Sequence, residues 1–350
     1  MLSKDKDCIK NQAISPYSFS HVFGILANCV DNETQKQMLN ILGFPNDIDE
    51  YNKNSKDCYD LIVSGSKENK ENFLVKNFIF YRNDVKIREI IRNDFFNTKL
   101  VSFDPSNIKQ EIVNFNNLIS KVTYGNIQNA LDTLSPDIPL LIMNVLHIDL
   151  TWVNIFRNSG LKKFKKLNGD TVKQIMMHQI SDFDTYEDEK KIAIKMPYKY
   201  SNLSFVAVMP KNLLDWELDS VNNFSEDSFN DIISKMTRKI VNLSFPKFKY
   251  EYSINFDEHI KDFELDIILK NLKLDKTNDI TIKQKVVIDV NMNGAIASAV
   301  GLLHFMDSGR VPKVTYSFDQ PFFWFIARHS EDKQTNTPIF MGKFLGNSLN

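Results

Sequence analysis

The stretch from Asn291 to Phe322, NMNGAIASAVGLLHFMDSGRVPKVTYSFDQPF, constrains the fold of this chain more than any other. It opens as a strand, and Gly294 then begins a run of small residues. Ala295, Ala297, Ala299 and Gly301 alternate, so an extended chain points all four to one face. A strand with only small side chains on one face slides under packed structure without steric conflict. A mixed apolar and polar segment follows. Thr315, Tyr316 and Ser317, then Pro321, Phe322, Phe323, Trp324 and Phe325, read as buried β structure. A connection this long between two strong strands is uncommon inside a compact domain and tends to be functional.

The rest of the chain must supply a sheet for such a strand. With 350 residues, 43% hydrophobic and 25% charged, a sizeable core is expected. A net charge of -1 gives no footing for nucleic acid or an anionic membrane as partner. No run of about 18 apolar residues occurs, so no membrane-spanning helix is expected. The first residues, MLSKDKDCIKNQAISPYSF, lack the apolar centre of a secretory signal, which implies a cytoplasmic setting. Cys8, Cys29 and Cys58 are odd in number and loosely spaced, the pattern of reduced thiols rather than a disulfide framework. Glycosylation sequons at Asn32, Asn202, Asn223 and Asn242 are then unused matches. His21, His147, His178, His259, His304 and His329 are scattered, and no metal, nucleophile-elbow or phosphate-loop motif occurs. No metal, no cofactor and no enzymatic centre are expected.

The first helix starts at Ser15-Pro16, with Ser15 as cap and Pro16 at the first helical position. Phe19, Val22, Phe23, Leu26 and Val30 repeat along it at helical spacing, and Cys29 lies on it as a small core residue. Strands are expected at 73–81, 140–146, 192–195, 203–209, 241–248 and 286–290. Helices are expected at 87–96, 108–122, 225–236 and 257–263. Polar patches at 64–72, 181–191 and 211–227 read as loops or exposed helices. The mixture lacks βαβ regularity, so the fold class is α+β, in one domain over 1–350.

Several short motifs resemble the serpin family over essentially the full length. Ile14-Ser15-Pro16-Tyr17-Ser18 with Thr34 and Gln37 is similar to the start of the family's second helix and the segment after it. Asn117-Leu118-Ile119 with Thr123, Gly125, Asn126 and Ile127 is similar to a later helix. Asn144-Val145 through Trp152 and Phe156 resembles a strand of the main sheet. Met196-Pro197-Tyr198 with Val208-Met209-Pro210, Pro246-Lys247-Phe248-Lys249, Asp319-Gln320-Pro321-Phe322 and 339–344 resemble further signatures. The resemblance implies three β-sheets, about eight or nine helices and an exposed reactive-centre loop at about 294–314. It places 286–290 as a central strand of the largest sheet, and Ser15, Ser18, Asn144, Trp152 and Gln284 in the region where that sheet opens.

The implied activity is suicide inhibition of a protease by a monomer. The protease cuts the loop, and the freed N-terminal part inserts into the main sheet as an extra strand. Ala295 to Asp307 spans about 43 Å when extended, so the receiving sheet must be long. Gly294, Ala295, Ala297 and Ala299 form the hinge. The common family register puts the bait residue at Ser308. A shorter register, resembling intracellular poxvirus members of the cytokine-response-modifier type, puts it at Asp307, thirteen positions after Gly294. The reading adopted is a cut at Asp307–Ser308, with His304, Phe305 and Met306 contacting the protease. An Asp bait implies host caspases or granzyme B as partners, and anti-apoptotic, anti-inflammatory action in an infected cell. Arg310 for a trypsin-like enzyme, or Met306 or Phe305 for a chymotrypsin-like one, are rival baits. A non-inhibitory interaction or host-range role is the other class. The chain departs from the family pattern at Met292 and Asn293, where acidic residues are usual, and at Ile296, Leu118 and Leu150. Gln284 replaces a usual His and is expected to hydrogen-bond Asn144.

Overall fold

A computed structural model of the chain describes residues 10–28, 30–64, 73–85, 98–148, 150–199, 202–213, 216, 226–256, 280–293, 311–329 and 336–347. Five α-helices are traced among them: α1 Pro16–Ala27, α2 Asn32–Ile41, α3 Ile48–Ser64, α4 Ile108–Val122 and α5 Glu226–Ser234. Helix α1 begins as its sequence dictates. The Ser15 hydroxyl accepts the Ser18 N–H at 3.1 Å, Pro16 follows, and Val22, Phe23, Ile25 and Leu26 are buried. Asp31 caps α2 by accepting the Glu33 and Thr34 N–H groups. The expected helices at 87–96 and 257–263, and Cys29, lie outside the described residues.

Fourteen strands form two sheets among the described residues, against the three expected. The smaller sheet has the order β10-β11-β4-β2-β3: β10 Phe248–Asn255, β11 Ile280–Val290, β4 Leu140–Ile148, β2 Phe73–Arg82 and β3 Thr98–Phe103. The larger has the order β1-β14-β13-β8-β7-β6-β9-β12, with β5 also on β6. Its strands are β1 Gln12–Ile14, β5 Arg157–Lys165, β6 Thr171–Glu187, β7 Lys191–Pro197, β8 Leu203–Pro210, β9 Thr237–Pro246, β12 Val314–Ser317, β13 Phe322–His329 and β14 Asn336–Phe344. Strand β6 explains the merger. One end of its 17 residues pairs with β5, the other with β7, and β9 runs along its middle, so the hydrogen bonding is continuous.

Three further expectations are corrected. The patch at 181–191 is not a loop at its start. It continues β6, with Phe183 and Thr185 buried between the half-buried Asp182 and Asp184. The expected strand at 241–248 is two strands. Pro246 has no N–H for a ladder, and at Lys247, which donates to Ile175 O, the chain leaves one sheet for the other. Residues 286–290 end β11 of the five-stranded sheet, not a strand of the largest one.

The five-stranded sheet is covered on both faces. Ile79, Ile142 and Ile282 pack with Val22, Phe23 and Leu26 of α1 and Met38 and Leu39 of α2. On the opposite face, Phe78, Phe80, Leu141, Met143 and Val145 meet Phe115 and Ile119 of α4 and Ile127, Leu131 and Leu134 beyond it. The alternation follows the period of two along each strand.

Candidate functional site

Strands β4 and β11 are neighbours that run parallel, while β11 is antiparallel to β10 and β4 is antiparallel to β2. Their ladder extends from Ile280–Leu140 to Val286–Leu146 and stops there. Both strands go on. Beyond that point β11 stays paired to β10 as far as Val290, and β4 to β2 as far as Ile148. The sheet is therefore split at the end where β11 leads into Asn291. A parallel pair is slightly less stable per residue than an antiparallel one. A chain turning back from Val290 would run antiparallel to both β11 and β4, the direction that favours pairing with each.

Trp152 closes the split end. Its indole N–H donates to Asn291 O at 2.9 Å, and its backbone N–H to Asn293 O at 2.9 Å. The Phe156 N–H donates to Met292 O at 2.8 Å. The Trp152 ring is 2% exposed and stacks on Tyr198 at 4.5 Å. Three successive carbonyls after β11 are thus held by one segment.

At the paired part of the seam, Gln284 lies opposite Asn144 in register but does not bond to it. Instead Gln284 Oε1 accepts the Ser15 N–H at 2.8 Å, and Nε2 donates to Ser15 O at 3.2 Å. Asn144 Nδ2 donates across to Asn77 Oδ1 at 2.7 Å. The Ser15 hydroxyl donates to Ile339 O at 2.7 Å, with Ser18 Oγ 3.1 Å away. The expected bond fails for a physical reason. The first turn of α1 presents a backbone donor and acceptor straight to the Gln284 amide, which matches both. Ser15, Ser18 and Gln284 form one cluster, Asn144 belongs to a second with Asn77, and Trp152 stands about 20 Å away along β11.

Lys285 was not singled out by sequence. Its Nζ donates to Asn129 O at 2.7 Å and pairs with Glu251 at 2.9 Å, and the residue is buried. Residues 127–134 pack on β4, so this bond straps them across the seam to β11. A cavity of about 180 Å³ remains beneath, between Ala130, Asp132 and Thr133 above and Lys283, Gln284 and Lys285 below. A Lys directly ahead of the apolar run Val286-Val287-Ile288 was the available signal.

Burial pushes the His21 imidazole down to about 3, beside the Tyr17 ring at 4.3 Å, so it is neutral at ordinary pH. Burial pushes the Cys58 thiol up, the opposite of what a nucleophilic cysteine needs. Gly294, Ala295, Ala297, Ala299, His304, Phe305, Met306, Asp307, Ser308 and Arg310 lie outside the described residues.

A family model described as serpin (serine protease inhibitor) matches residues 1–346. An uncharacterized serpin-like protein of Thermococcus kodakarensis is 27% identical over 96% of this chain and 80% of its own. A fowlpox virus serpin-like protein is 31% identical over 72% of this chain and 73% of its own. Among solved structures, human thyroxine-binding globulin in complex with thyroxine superposes with a TM-score of 0.82 at 21% identity, over 98% of this chain and 94% of that one.

Proposed function

The chain belongs to the serpin family, and on that premise we propose that it is a suicide inhibitor of Asp-directed proteases, acting as a monomer in the cytoplasm of a poxvirus-infected cell. The protease serine or cysteine attacks the carbonyl carbon of Asp307. The C–N bond to Ser308 breaks, the nucleophile's proton passes to the departing amine, and Asp307 remains as an ester or thioester on the enzyme. The freed segment then enters between β4 and β11.

The observation that carries this reading is the parallel seam, split where β11 delivers the chain. Its dimensions suit the guest. The 11 residues of β11 extend about 36 Å, against about 43 Å for Ala295 to Asp307. The alternating alanines keep that guest narrow on the face that turns inward. An Asp bait suits enzymes whose pocket holds an Arg, where a carboxylate gains two charge-assisted hydrogen bonds. Caspases and granzyme B are the proposed targets.

A second reading is a non-inhibitory member with an interaction or host-range role. The bonds from Trp152 and Phe156 to the carbonyls of 291–293 favour it, because they fix the base of the loop where acidic residues are usual and Met292 and Asn293 stand. The test is incubation with caspases, granzyme B, trypsin and chymotrypsin, followed by denaturing electrophoresis and mass spectrometry. A covalent complex with a new N-terminus at Ser308 is expected. Cleavage without complex supports the second reading, and an N-terminus at Val311 makes Arg310 the bait.

A further inference from the structure

We propose that the outward face of the β5–β6 hairpin is a docking surface for an acidic face of the target protease, an inference that rests on the inhibitor function above. Three cross-strand pairs build the face: Leu161 with Ile175, Lys163 with Lys173, and Lys165 with Thr171. Phe164 and Gln174, between these pairs, are buried, so the alternation of β6 and the register turn the pairs outward, although Lys162 opposite Gln174 is exposed as well. Leu161 is 62% exposed, and Lys163, Lys165 and Lys173 are exposed in a row beside it, toward the hairpin turn. None of the three lysines has an ion-pair partner among the described residues.

The fold itself works against this arrangement. Like charges directly opposite each other destabilise a strand pair, and Lys163 faces Lys173. Protection of an edge strand such as β5 needs charge, but not two lysines set against each other. An exposed apolar pair continued by a row of cations that have no ion-pair partner among the described residues suits an acidic protein partner. A flat sheet face with no aromatic ring offers nothing for bases to stack on.

Position selects the protease as occupant. Strand β5 starts at the residue after Phe156, whose N–H holds Met292 O just before the loop departs. Lys163 is therefore about 20 Å from that departure point. A standard interface of about 800 Å² per partner is about 30 Å across, wider than this separation, and β12 brings the far end of the loop back onto β9, the neighbour of β6. On a chain with net charge -1, this local field steers an acidic partner without making the whole surface basic.

The test compares the intact protein with Lys163→Glu/Lys165→Glu, which turns the like-charge pair into an opposite-charge one and so leaves folding intact. Rates of loop cleavage and complex formation are measured at low and high salt. A synthetic peptide covering 294–314 reports the loop alone. The variant is expected to react about tenfold or more slowly at low salt, and the gap should close at high salt. The unfolding temperature and the peptide rate should stay the same. Equal low-salt rates, with complex formation intact, overturn the docking surface and leave the inhibitor function standing. Loss of dextran sulfate binding with unchanged rates makes the face a polyanion site instead, and overturns the proposal. If no protease cleaves the wild-type loop, the inhibitor function and this surface fall together.

Discussion

Gln284→Ala separates the geometry at the seam from the expectation that preceded it. Gln284 is 1% exposed and makes both of its bonds to the Ser15 backbone. Ser15 O keeps a second partner in the Phe19 N–H, but the Ser15 N–H is left without its bond. A buried donor without a partner costs about 1–3 kcal/mol, and the lost packing of the amide adds to this. A loss of about 2–3 kcal/mol is therefore expected. With about 2.1 cal/mol/K of unfolding entropy per residue over 350 residues, that is a fall in Tm of about 3–4 °C. Asn144→Ala should leave Ser15 untouched, because Asn144 bonds Asn77. The assay is differential scanning calorimetry, with amide exchange at Ser15 as the local readout. Gln284→Ala with unchanged Tm and unchanged Ser15 exchange refutes the bond; loss of Ser15 protection in Asn144→Ala restores the cross-seam pairing rejected above.

Insertion as proposed would separate β4 from β11 by one strand spacing, about 4.8 Å, and so break the Lys285–Asn129 strap. Lys285→Ala should therefore speed uptake of a peptide with the 294–307 sequence, followed on a native gel; unchanged uptake means the strap does not hold the seam. Ala297→Arg should fold normally and turn inhibitor into substrate, since insertion would bury a charge at several kcal/mol; undiminished complex formation argues against insertion. His21 gives a pH signature. Its folded value of about 3 lies below the ordinary 6.5, so below about pH 6.5 the unfolded chain takes up a proton that the folded chain refuses until about pH 3. The contribution of His21 to stability is thus complete above about pH 6.5 and is lost progressively as the pH falls toward 3. His21→Gln should remove that loss from urea midpoints taken between pH 7.5 and 5, and an unaltered loss contradicts it.

Elements whose signal is local were legible in the sequence. Ser15-Pro16 announced α1, and the apolar run at 203–209 announced β8, which is buried along its whole length. Elements whose signal depends on partners were not. Strand β5, RNSGLKKFK, buries only Phe164 and exists because β6 offers it a ladder. Helices α2 and α3 carry short apolar stripes among many charges, and tertiary packing of Met38, Leu39 and Tyr51 settles them. At the candidate site, Trp152 and Gln284 were found as residues, but not their partners. A polar side chain announces that it needs a hydrogen bond, not with whom, and Gln284 passed over its cross-strand neighbour for the backbone of a helix 269 positions away.

The most direct test of the account is the melting temperature of the chain before and after a single cut between Asp307 and Ser308. An inserted strand replaces one short parallel ladder between β4 and β11 by two antiparallel ones and buries the alternating alanines. The account predicts that the cut chain unfolds at a distinctly higher temperature than the intact one, with residues 295–307 newly protected from amide exchange. Identical melting, with 295–307 still exchanging freely, contradicts it.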